Sequence, residues 1–245
     1  QSKRLNVYYK YAEKLIKQGN AYVDTVPAEK MRKMIWSRMI TDERNESPTA
    51  VMEKWKKMFT KYKEGEAVLR IKTDITNPNP AVRDWVAFRI IRNGKHPLAK
   101  AKVWPLLNFA SAIDDHELGI THILRGIDLS VSDVRQKFIY DYFKWEYPKT
   151  KYNGKFLVSG IKSTSEAREL IEEGKLTGWD DPRLGTLKAL RKRGITSEAI
   201  VKWIKDVGIG RNDMNVNIES LYSYNRDVID KKCNRYFFVG NPTKI

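Results

Sequence analysis

The segment from residue 66 to residue 91, EAVLRIKTDITNPNPAVRDWVAFRII, constrains the fold of this chain more than any other. Its two ends, EAVLRIKTDI and DWVAFRII, alternate apolar and polar residues or run apolar, and this pattern predicts two β-strands. Between them, Pro78 and Pro80 lack a backbone N–H and exclude a continuous helix. The chain must therefore contain a β-sheet, although many of its other patterns are helical.

Amphipathic helices are predicted on both sides of this segment. Leu5, Tyr8, Ala12 and Leu15 recur at helical spacing and predict a helix over residues 3–18, which Gly19 ends. Ser47 or Thr49 is expected to cap a later helix. The same reasoning predicts helices over residues 28–39, 49–62 and 132–145 and in three segments after residue 163, with short strands over NAYVDTV (20–26) and RYFFV (235–239).

Residues 102–145 alternate apolar strands with helices, and this order predicts an α/β layer. In such a layer ligands collect at the carboxyl ends of the strands, which is where Arg125 stands, directly after ITHIL. An arginine in this position can also be a surface residue or part of a structural ion pair. The helix that follows is expected to place on one face Val134, Phe138, Ile139, Tyr142 and Phe143.

The charge balance points to a polyanionic partner. The 245 residues include 46 Lys and Arg against 30 Asp and Glu, which gives a net charge of +16 at pH 7. Such an excess favours nucleic acid, through phosphate contacts and counterion release. Arg70, Lys72, Arg83 and Arg89 lie on or beside the predicted strands, where they face either phosphates or only solvent. A generic basic surface is the alternative.

Several classes of protein are excluded. No apolar run approaches the roughly 18 residues of a membrane helix, and the N-terminal residues lack the apolar core of a signal peptide. One cysteine, Cys233, excludes an internal disulfide and a multi-cysteine zinc site, and the three histidines have no metal-ligand spacing. Asp114, Asp115, His116 and Glu117 are adjacent, so a solvated turn is favoured over a metal site. No glycine-rich phosphate loop occurs. We expect a cytoplasmic, metal-free protein.

Residues 178–194, GWDDPRLGTLKALRKRG, combine two aspartates and a proline with a cationic helix. Pro182 suits the first turn of a helix, and the aspartates beside it favour the positive helix end. Lys188, Arg191 and Lys192 recur at i, i+3 and i+4 and give the helix one cationic flank. This flank is expected either to contact phosphates without reading bases or to remain a solvated surface.

The order of several segments resembles one family. GWDDPRLGTLKALRKRGI and the upstream STSEARELIEEGKLT are similar to glutamyl-tRNA synthetases of the archaeal and eukaryotic type and to the related glutaminyl-tRNA synthetases. EGEAVLRIKTDITNPNPAVRDWVAFRII, AIDDHELGITHILRG and NRDVIDKKCNRYFFV match in family order and extend the resemblance over nearly the whole chain. RDWVAFRII and the pair Arg125-Gly126 favour the glutamate branch, and the glutamine branch is the alternative.

The resemblance implies a class I aminoacyl-tRNA synthetase, which activates glutamate with ATP and Mg²⁺ and transfers it to the terminal ribose of tRNA. The implied fold is α/β: the second half of a Rossmann-like catalytic domain with an α+β acceptor-end insertion and a helical stem-contact module. It also implies a monomer without protein-bound zinc. The implied parts are the last helix of the first Rossmann-like half (1–19), the insertion (20–101), the second half (102–160), the signature loop with the stem-contact helices (161–215) and the start of an anticodon-binding β-barrel (216–245).

The resemblance also assigns roles to single residues. In the signature loop, Lys162 and Ser163 are the candidate catalytic residues, because the loop lysine of the family stabilises negative charge developing on the nucleotide phosphates. Arg125, Asn108 and Leu107 are the candidate substrate-binding residues, since an arginine can pair bidentately with a substrate carboxylate. The expected tRNA contacts are Arg83, Arg183, Lys188, Arg191, Lys192 and Arg193.

Several positions depart from the family pattern. Leu107 and Asn108 replace the tyrosine and the aspartate of a proline-threonine-tyrosine-aspartate-phenylalanine motif. Ile127 and Leu129 replace a lysine and a histidine, and Glu166 stands where relatives carry a loop lysine. The family's HIGH motif is expected upstream of this sequence. We therefore expect no glutamate-dependent ATP–pyrophosphate exchange from this chain alone. A truncated or divergent tRNA-binding paralogue without catalysis is the alternative.

Overall fold

The computed structural model describes residues 2–91, 100–158, 163–241 and 243. The chain divides into two compact units, Gln1–Lys151 and Tyr152–Ile245. Both units combine helices with strands, so the mixed α/β class predicted from the sequence is confirmed. Among the described residues, none of the helices has the length and apolar character needed to span a membrane.

In its described residues, the first unit contains five α-helices and the strands β1 to β5, and the strand β6 continues past Lys151 into the second unit. The helices are α1 (Leu5–Lys17), α2 (Ala28–Trp36), α3 (Pro48–Thr60), α4 (Leu107–Glu117) and α5 (Ser130–Phe143). The strands are β1 (Ala21–Asp24), β2 (Val68–Ile71), β3 (Val86–Ile90), β4 (Val103–Pro105), β5 (His122–Gly126) and β6 (Lys149–Asn153). Short 3₁₀ turns cover Ser2–Arg4, Asp42–Asn45 and Ile127–Leu129.

Strands β1 to β4 form one sheet in that order, and each neighbouring pair is antiparallel. The two strands predicted on either side of the prolines are confirmed as β2 and β3, within narrower bounds. The register pairs Ala21 with Ile71 and Phe88 with Pro105. Strand β5 pairs with β6 in a separate two-stranded sheet. Arg125 lies near the carboxyl end of β5, as the sequence predicted.

The core of the first unit lies where α1 and α3 pack with the sheet. Helix α1 buries Tyr8, Ala12, Leu15 and Ile16, which recur at the helical spacing that predicted this element. Fully burying a large apolar side chain contributes about 1.5–3 kcal/mol, so this face accounts for much of the attachment of α1. Ser47 is confirmed as the cap of α3, because its hydroxyl accepts a hydrogen bond from the backbone N–H of residue 50 at 3.3 Å.

The sequence prediction of a solvated turn at residues 114–117 was wrong, because these residues form the last turn of α4. Asp114 accepts a hydrogen bond from the Tyr8 hydroxyl at 2.7 Å and pairs with Arg4 at 2.9 Å. Its carboxylate therefore links α4 to the N-terminal helix. Across the described ranges, no group of three His, Cys, Asp or Glu side chains has the arrangement of a metal site.

A buried carboxylate connects three parts of the first unit. Asp84, which is only 1% exposed, accepts hydrogen bonds from the Tyr22 hydroxyl at 3.0 Å, from Arg44 Nε at 2.7 Å and from the Thr73 backbone N–H at 2.8 Å. These donors lie on β1, on a 3₁₀ turn and after β2. Burial and the Asp84 charge both raise the pKa of Tyr22, so this phenol stays protonated and can donate.

The second unit is mainly helical. Its elements are β7 (Phe156–Val158), α6 (Thr164–Glu172), α7 (Leu187–Lys192), α8 (Ser197–Val207), β8 (Met214–Val216) and α9 (Ile218–Ile229), with β7 and β8 parallel. A hydroxyl or amide oxygen caps each helix N-terminus: Ser163, Thr186, Thr196 and Asn217 each accept a backbone N–H of the first turn. The three helices predicted after residue 163 are therefore confirmed, and α9 is an additional one.

The predicted strand RYFFV was wrong. Residues 235–239 have no strand structure, and Tyr236, Phe237 and Phe238 are 88%, 94% and 91% exposed. A β-strand needs a neighbour to satisfy its backbone hydrogen bonds, and no described strand lies beside this segment.

Replacing Asp84 with asparagine is expected to lower the free energy of unfolding by about 3 kcal/mol or more, because the substitution leaves the Arg44 charge partly buried without its counter-ion. Asparagine keeps the shape and tolerates the positive φ of this position. Urea denaturation followed by tryptophan fluorescence measures the change. The matched control is Asp42→Asn, at an exposed carboxylate, which should change stability by no more than about 0.5 kcal/mol. Equal effects of the two variants would contradict the assignment.

Candidate functional site

A pocket of about 270 Å³ lies between α4, β5 and α5 in the first unit. Its lining includes Leu107 and Asn108 at the start of α4, Arg125 on β5 and Leu129 in the following 3₁₀ turn. The structure thus brings together all three candidate substrate-binding residues, although up to 18 residues separate them along the chain. The pocket is completed by Ser111, Asp115, Ile123, Leu124, Ser132 and Gln136.

Arg125 is held in a fixed orientation in this pocket. One terminal nitrogen pairs with Asp133 Oδ1 at 2.8 Å, and the other donates to Gln136 Oε1 at 3.0 Å. Both partners are buried, at 4% and 2% exposure. The Tyr147 hydroxyl lies within 2.9 Å of Asp133 Oδ1 and 3.0 Å of Gln136 Oε1 and can donate to one of them. These contacts orient the guanidinium group and use only part of its donors, so it can also bind a ligand carboxylate.

The rest of the pocket offers hydrogen-bond acceptors. Asn108 Oδ1 is buried and has no hydrogen-bond partner among the described residues. Burial raises the pKa of Asp115, and the nearby Arg125 partly offsets this rise. An unpaired acceptor and a carboxyl group beside a cation suit a small ligand that carries both a carboxylate and an ammonium group. Leu107 is 60% exposed at the rim and can supply only apolar contact.

Asp133 and Gln136 were missed in the sequence. The helical pattern predicted a face containing Val134, but Val134 is 41% exposed, and α5 instead buries Asp133, Gln136, Ile139 and Tyr140. Asp133, Gln136 and Ile139 recur at helical spacing. Because the first two are polar, a search for apolar residues at this spacing does not find the buried face. These polar residues are buried because Arg125 supplies the partner that a buried carboxylate requires.

The candidate catalytic residues of the signature loop lie in the second unit. Lys162 is outside the described residues. Ser163 is the N-cap of α6, and its hydroxyl accepts from the Glu166 backbone N–H at 3.0 Å. Glu166 occupies the first turn of α6, where a negative charge interacts favourably with the helix dipole. In this position the carboxylate stabilises the helix rather than supplying the cation expected from the family pattern.

The turn before α7 is organised by Asp181, which is 2% exposed. Its carboxylate accepts the backbone N–H groups of Thr177 and Arg183, each at 3.0 Å, and the Arg183 side chain at 2.9 and 2.8 Å. These hydrogen bonds, above all those from the Arg183 side chain, hold the pKa of Asp181 well below its usual range. Pro182 lies in this turn and not in a helix, because α7 begins only at Leu187 behind its Thr186 cap.

The cations around α7 differ in whether they already pair with another side chain of the protein. Lys188 and Arg191 are exposed, and no ion pair involves either one among the described residues. Lys192 pairs with Asp180 at 3.0 Å, with both side chains half exposed. Arg193 donates to the Tyr222 hydroxyl at 3.1 Å and lies over its ring. Lys188 and Arg191 are therefore the predicted phosphate contacts that have no ion-pair partner among the described residues.

Arg83 was predicted to contact tRNA, and the structure gives it a different role. The residue is only 4% exposed. Its guanidinium group donates to the carbonyl oxygens of Ile35, Asn77, Trp36 and Pro78 at 2.7, 2.6, 3.2 and 3.2 Å. Arg83 therefore ties the end of α2 to the proline-containing loop, and its donors are not free for phosphate.

Comparison with known proteins shows the family to which this chain belongs. The family described as tRNA synthetases class I (E and Q), catalytic domain, matches residues 1–231, and the chain belongs to this family. A glutamate tRNA ligase from Elizabethkingia meningosepticum has a similar fold, with a TM-score of 0.61 at 20% identity, over 94% of this chain and 54% of that one.

The curated relatives are more specific than the family. The chain is 54% identical over 245 residues to the glutamate–tRNA ligase of Pyrococcus horikoshii, which covers 98% of this chain and 43% of the relative. It is 50% identical over 249 aligned positions to the glutamate–tRNA ligase of Archaeoglobus fulgidus, which covers all of this chain and 45% of the relative. The chain thus spans less than half the length of these relatives.

Proposed function

We propose that this chain is part of a glutamate–tRNA ligase, which activates glutamate with ATP and Mg²⁺ and transfers it to the 3′ end of tRNA. The observation that carries the proposal is the identity of about half of all residues, over 98% of the chain, to enzymes of that name. In this proposal strands β1 to β3 belong to the acceptor-end insertion, β4 and the Arg125 pocket to the second Rossmann-like half, and α6 to α8 to the stem-contact module.

The Arg125 pocket is the proposed glutamate site. Arg125 binds a substrate carboxylate, and Asp133 and Gln136 hold its guanidinium group in place. In this proposal Asn108 Oδ1 and Asp115, which line the same pocket, accept hydrogen bonds from the ammonium group. A cation at this position favours a carboxylate over a neutral amide, which supports the glutamate branch over the glutamine branch.

Arg125→Lys is expected to weaken glutamate binding about tenfold or more, because the lysine keeps the charge but loses the forked pair of N–H donors. Isothermal titration of the protein with glutamate, and then with glutamine, measures this. The control is Arg89→Lys, an exposed arginine on β3, which should bind glutamate like the unaltered protein. Tighter binding of glutamine would favour the glutamine branch, and unchanged binding by Arg125→Lys would remove Arg125 from the site.

The exposed flank of α7 is the proposed contact with the tRNA stem. Lys188 and Arg191 are free to approach phosphates, and Lys192 can exchange Asp180 for a phosphate at little cost because exposed ion pairs are weak. Phosphate contacts of this kind position a nucleic acid without reading its sequence. The net charge of +16 favours the encounter.

Replacing Lys188, Arg191 and Lys192 together with alanine is expected to weaken tRNA binding. It should reduce the slope of log affinity against log salt by about 0.7–0.9 for each phosphate that the protein no longer neutralises. Fluorescence anisotropy of labelled tRNA between about 50 and 200 mM salt measures both quantities. The matched control removes the same charge from another surface, with Lys10, Lys17 and Lys61 changed to alanine. Equal salt slopes for the two variants would show that the cations of α7 form a solvated surface and do not contact tRNA.

A divergent tRNA-binding protein without catalysis is the second candidate function. Leu107 at the pocket rim and Glu166 in the first turn of α6 favour it, because each replaces a group that could contact a substrate. The experiments above distinguish the two functions. Binding of tRNA without any binding of glutamate supports the second candidate.

A further inference from the structure

The positive charge in the Arg125 pocket is balanced before any ligand binds. Among the described residues that line the pocket, Arg125 is the only cation and Asp115 is the only carboxylate. A second carboxylate contacts the guanidinium group from α5, because Asp133 Oδ1 lies 2.8 Å from one of its terminal nitrogens. These three side chains together carry no excess positive charge, so a ligand carboxylate meets a cation that is already paired.

The ion pair between Arg125 and Asp133 is shielded from water. The two side chains are only 11% and 6% exposed. Solvent and salt screen an exposed carboxylate strongly, whereas a buried one acts at close to full strength over several ångströms. Asp133 therefore lowers the positive potential at the guanidinium group much more than a surface carboxylate would.

A phenol helps to hold the Asp133 carboxylate in place. The Tyr147 hydroxyl lies 2.9 Å from Asp133 Oδ1, the same oxygen that pairs with Arg125. Burial, together with the hydrogen bond to Asp133, raises the pKa of Tyr147, so the phenol stays protonated and remains a donor. The carboxylate therefore keeps a fixed position against the guanidinium group.

The negative charge of Asp133 is not needed to orient Arg125. The neutral amide of Gln136 already accepts a hydrogen bond from the other terminal nitrogen at 3.0 Å. An asparagine at position 133 has the shape of the aspartate and keeps an oxygen that can accept the first hydrogen bond. The charge of Asp133 is thus separable from its positioning role, and its distinct effect is on the electrostatics that a ligand meets.

Glutamate and glutamine respond differently to that charge. They have nearly the same shape, but the side chain of one ends in a carboxylate and that of the other in a neutral amide. Arginine binds a carboxylate more strongly than an amide oxygen, which favours glutamate. The Asp133 charge repels the carboxylate and has much less effect on the amide, so it reduces this preference. The ratio of the two affinities therefore reports the charge at position 133.

We propose that Asp133 is a specificity-determining residue, which weakens the preference of the Arg125 pocket for glutamate over glutamine by balancing the guanidinium charge. This inference rests on the proposed function, in which Arg125 contacts a substrate carboxylate, and it assigns that contact to the carboxylate of the glutamate side chain. The pocket then accepts both amino acids and prefers glutamate only modestly.

The test is isothermal titration of the 245-residue chain with glutamate and with glutamine. A hydrogen bond to a charged group, set against none, corresponds to a preference of about 10- to 150-fold, so the unaltered protein should prefer glutamate by less than about tenfold. Asp133→Asn should raise the preference about tenfold, because it removes the charge and keeps the acceptor. Asp133→Ala, which also removes the acceptor, should weaken the binding of both amino acids.

Asp128→Asn is the matched control. Asp128 is an exposed carboxylate in the 3₁₀ turn after β5, so solvent screens its charge and the ratio of affinities should stay unchanged. A variant that is partly unfolded has fewer binding sites for both amino acids alike, and the ratio is unaffected by this loss. The preference of the unaltered protein tests the proposal without any substitution.

Two results would overturn the role of Asp133 and leave glutamate binding at Arg125 intact. One is a preference for glutamate of about tenfold or more in the unaltered protein. The other is an equal ratio of affinities in Asp133→Asn and the unaltered protein. Absence of binding of either amino acid to the unaltered protein would instead overturn the proposed glutamate site, and this inference with it.

Discussion

The buried carboxylate of Asp84 is the interaction on which the first unit depends. It joins β1, a 3₁₀ turn and the segment after β2 through Tyr22, Arg44 and Thr73. A buried charge is tolerated only when it is paired and fully hydrogen-bonded, so these partners must assemble together. The backbone carbonyl oxygen of Asp84 also accepts a hydrogen bond from Arg70, which pairs with the buried Asp24 on β1. One residue therefore connects strands β1 and β2 with the 3₁₀ turn that carries Arg44.

The arginines of this chain divide into those that build the structure and those that remain free. Arg83 donates its hydrogen bonds to backbone carbonyl oxygens. Arg125 is oriented by Asp133 and keeps N–H donors for a ligand. Arg32 and Arg191 are exposed and uncommitted among the described contacts. A fixed guanidinium group suits a small ligand that must be held in one orientation, whereas exposed cations suit a long phosphate backbone. Net charge alone does not distinguish these roles.

Local patterns predicted the helices and the central strands well, because the period of apolar residues reflects which face is buried. Ser47 was predicted as one of two possible caps for the same local reason. Long-range partners could not be predicted in this way. The carbonyl oxygens that bind Arg83 lie up to 48 residues away, and burial of Asp133 depends on Arg125. Pro182 was misplaced because the hydrogen bonds to Asp181 favour a turn over a helical start.

The candidate pocket was found through the family resemblance and not through periodicity. Leu107, Asn108 and Arg125 have no local pattern in common, and their resemblance to a known motif order is what grouped them before the structure placed them in one pocket. The 67% exposure of Trp36 was predicted by neither approach. A sequence does not show that a tryptophan is exposed, because an amphipathic helix pattern does not distinguish an aromatic residue at the edge of the apolar face from one within that face.

The central proposal is that the exposed cations of α7 contact the phosphates of tRNA. Photochemical crosslinking of bound tRNA, followed by mass spectrometry of the crosslinked peptides, tests it most directly. The account predicts that stem nucleotides crosslink to the peptides spanning residues 187–193. Crosslinks confined to other exposed surfaces, such as the lysines of α1 and α3, would contradict it.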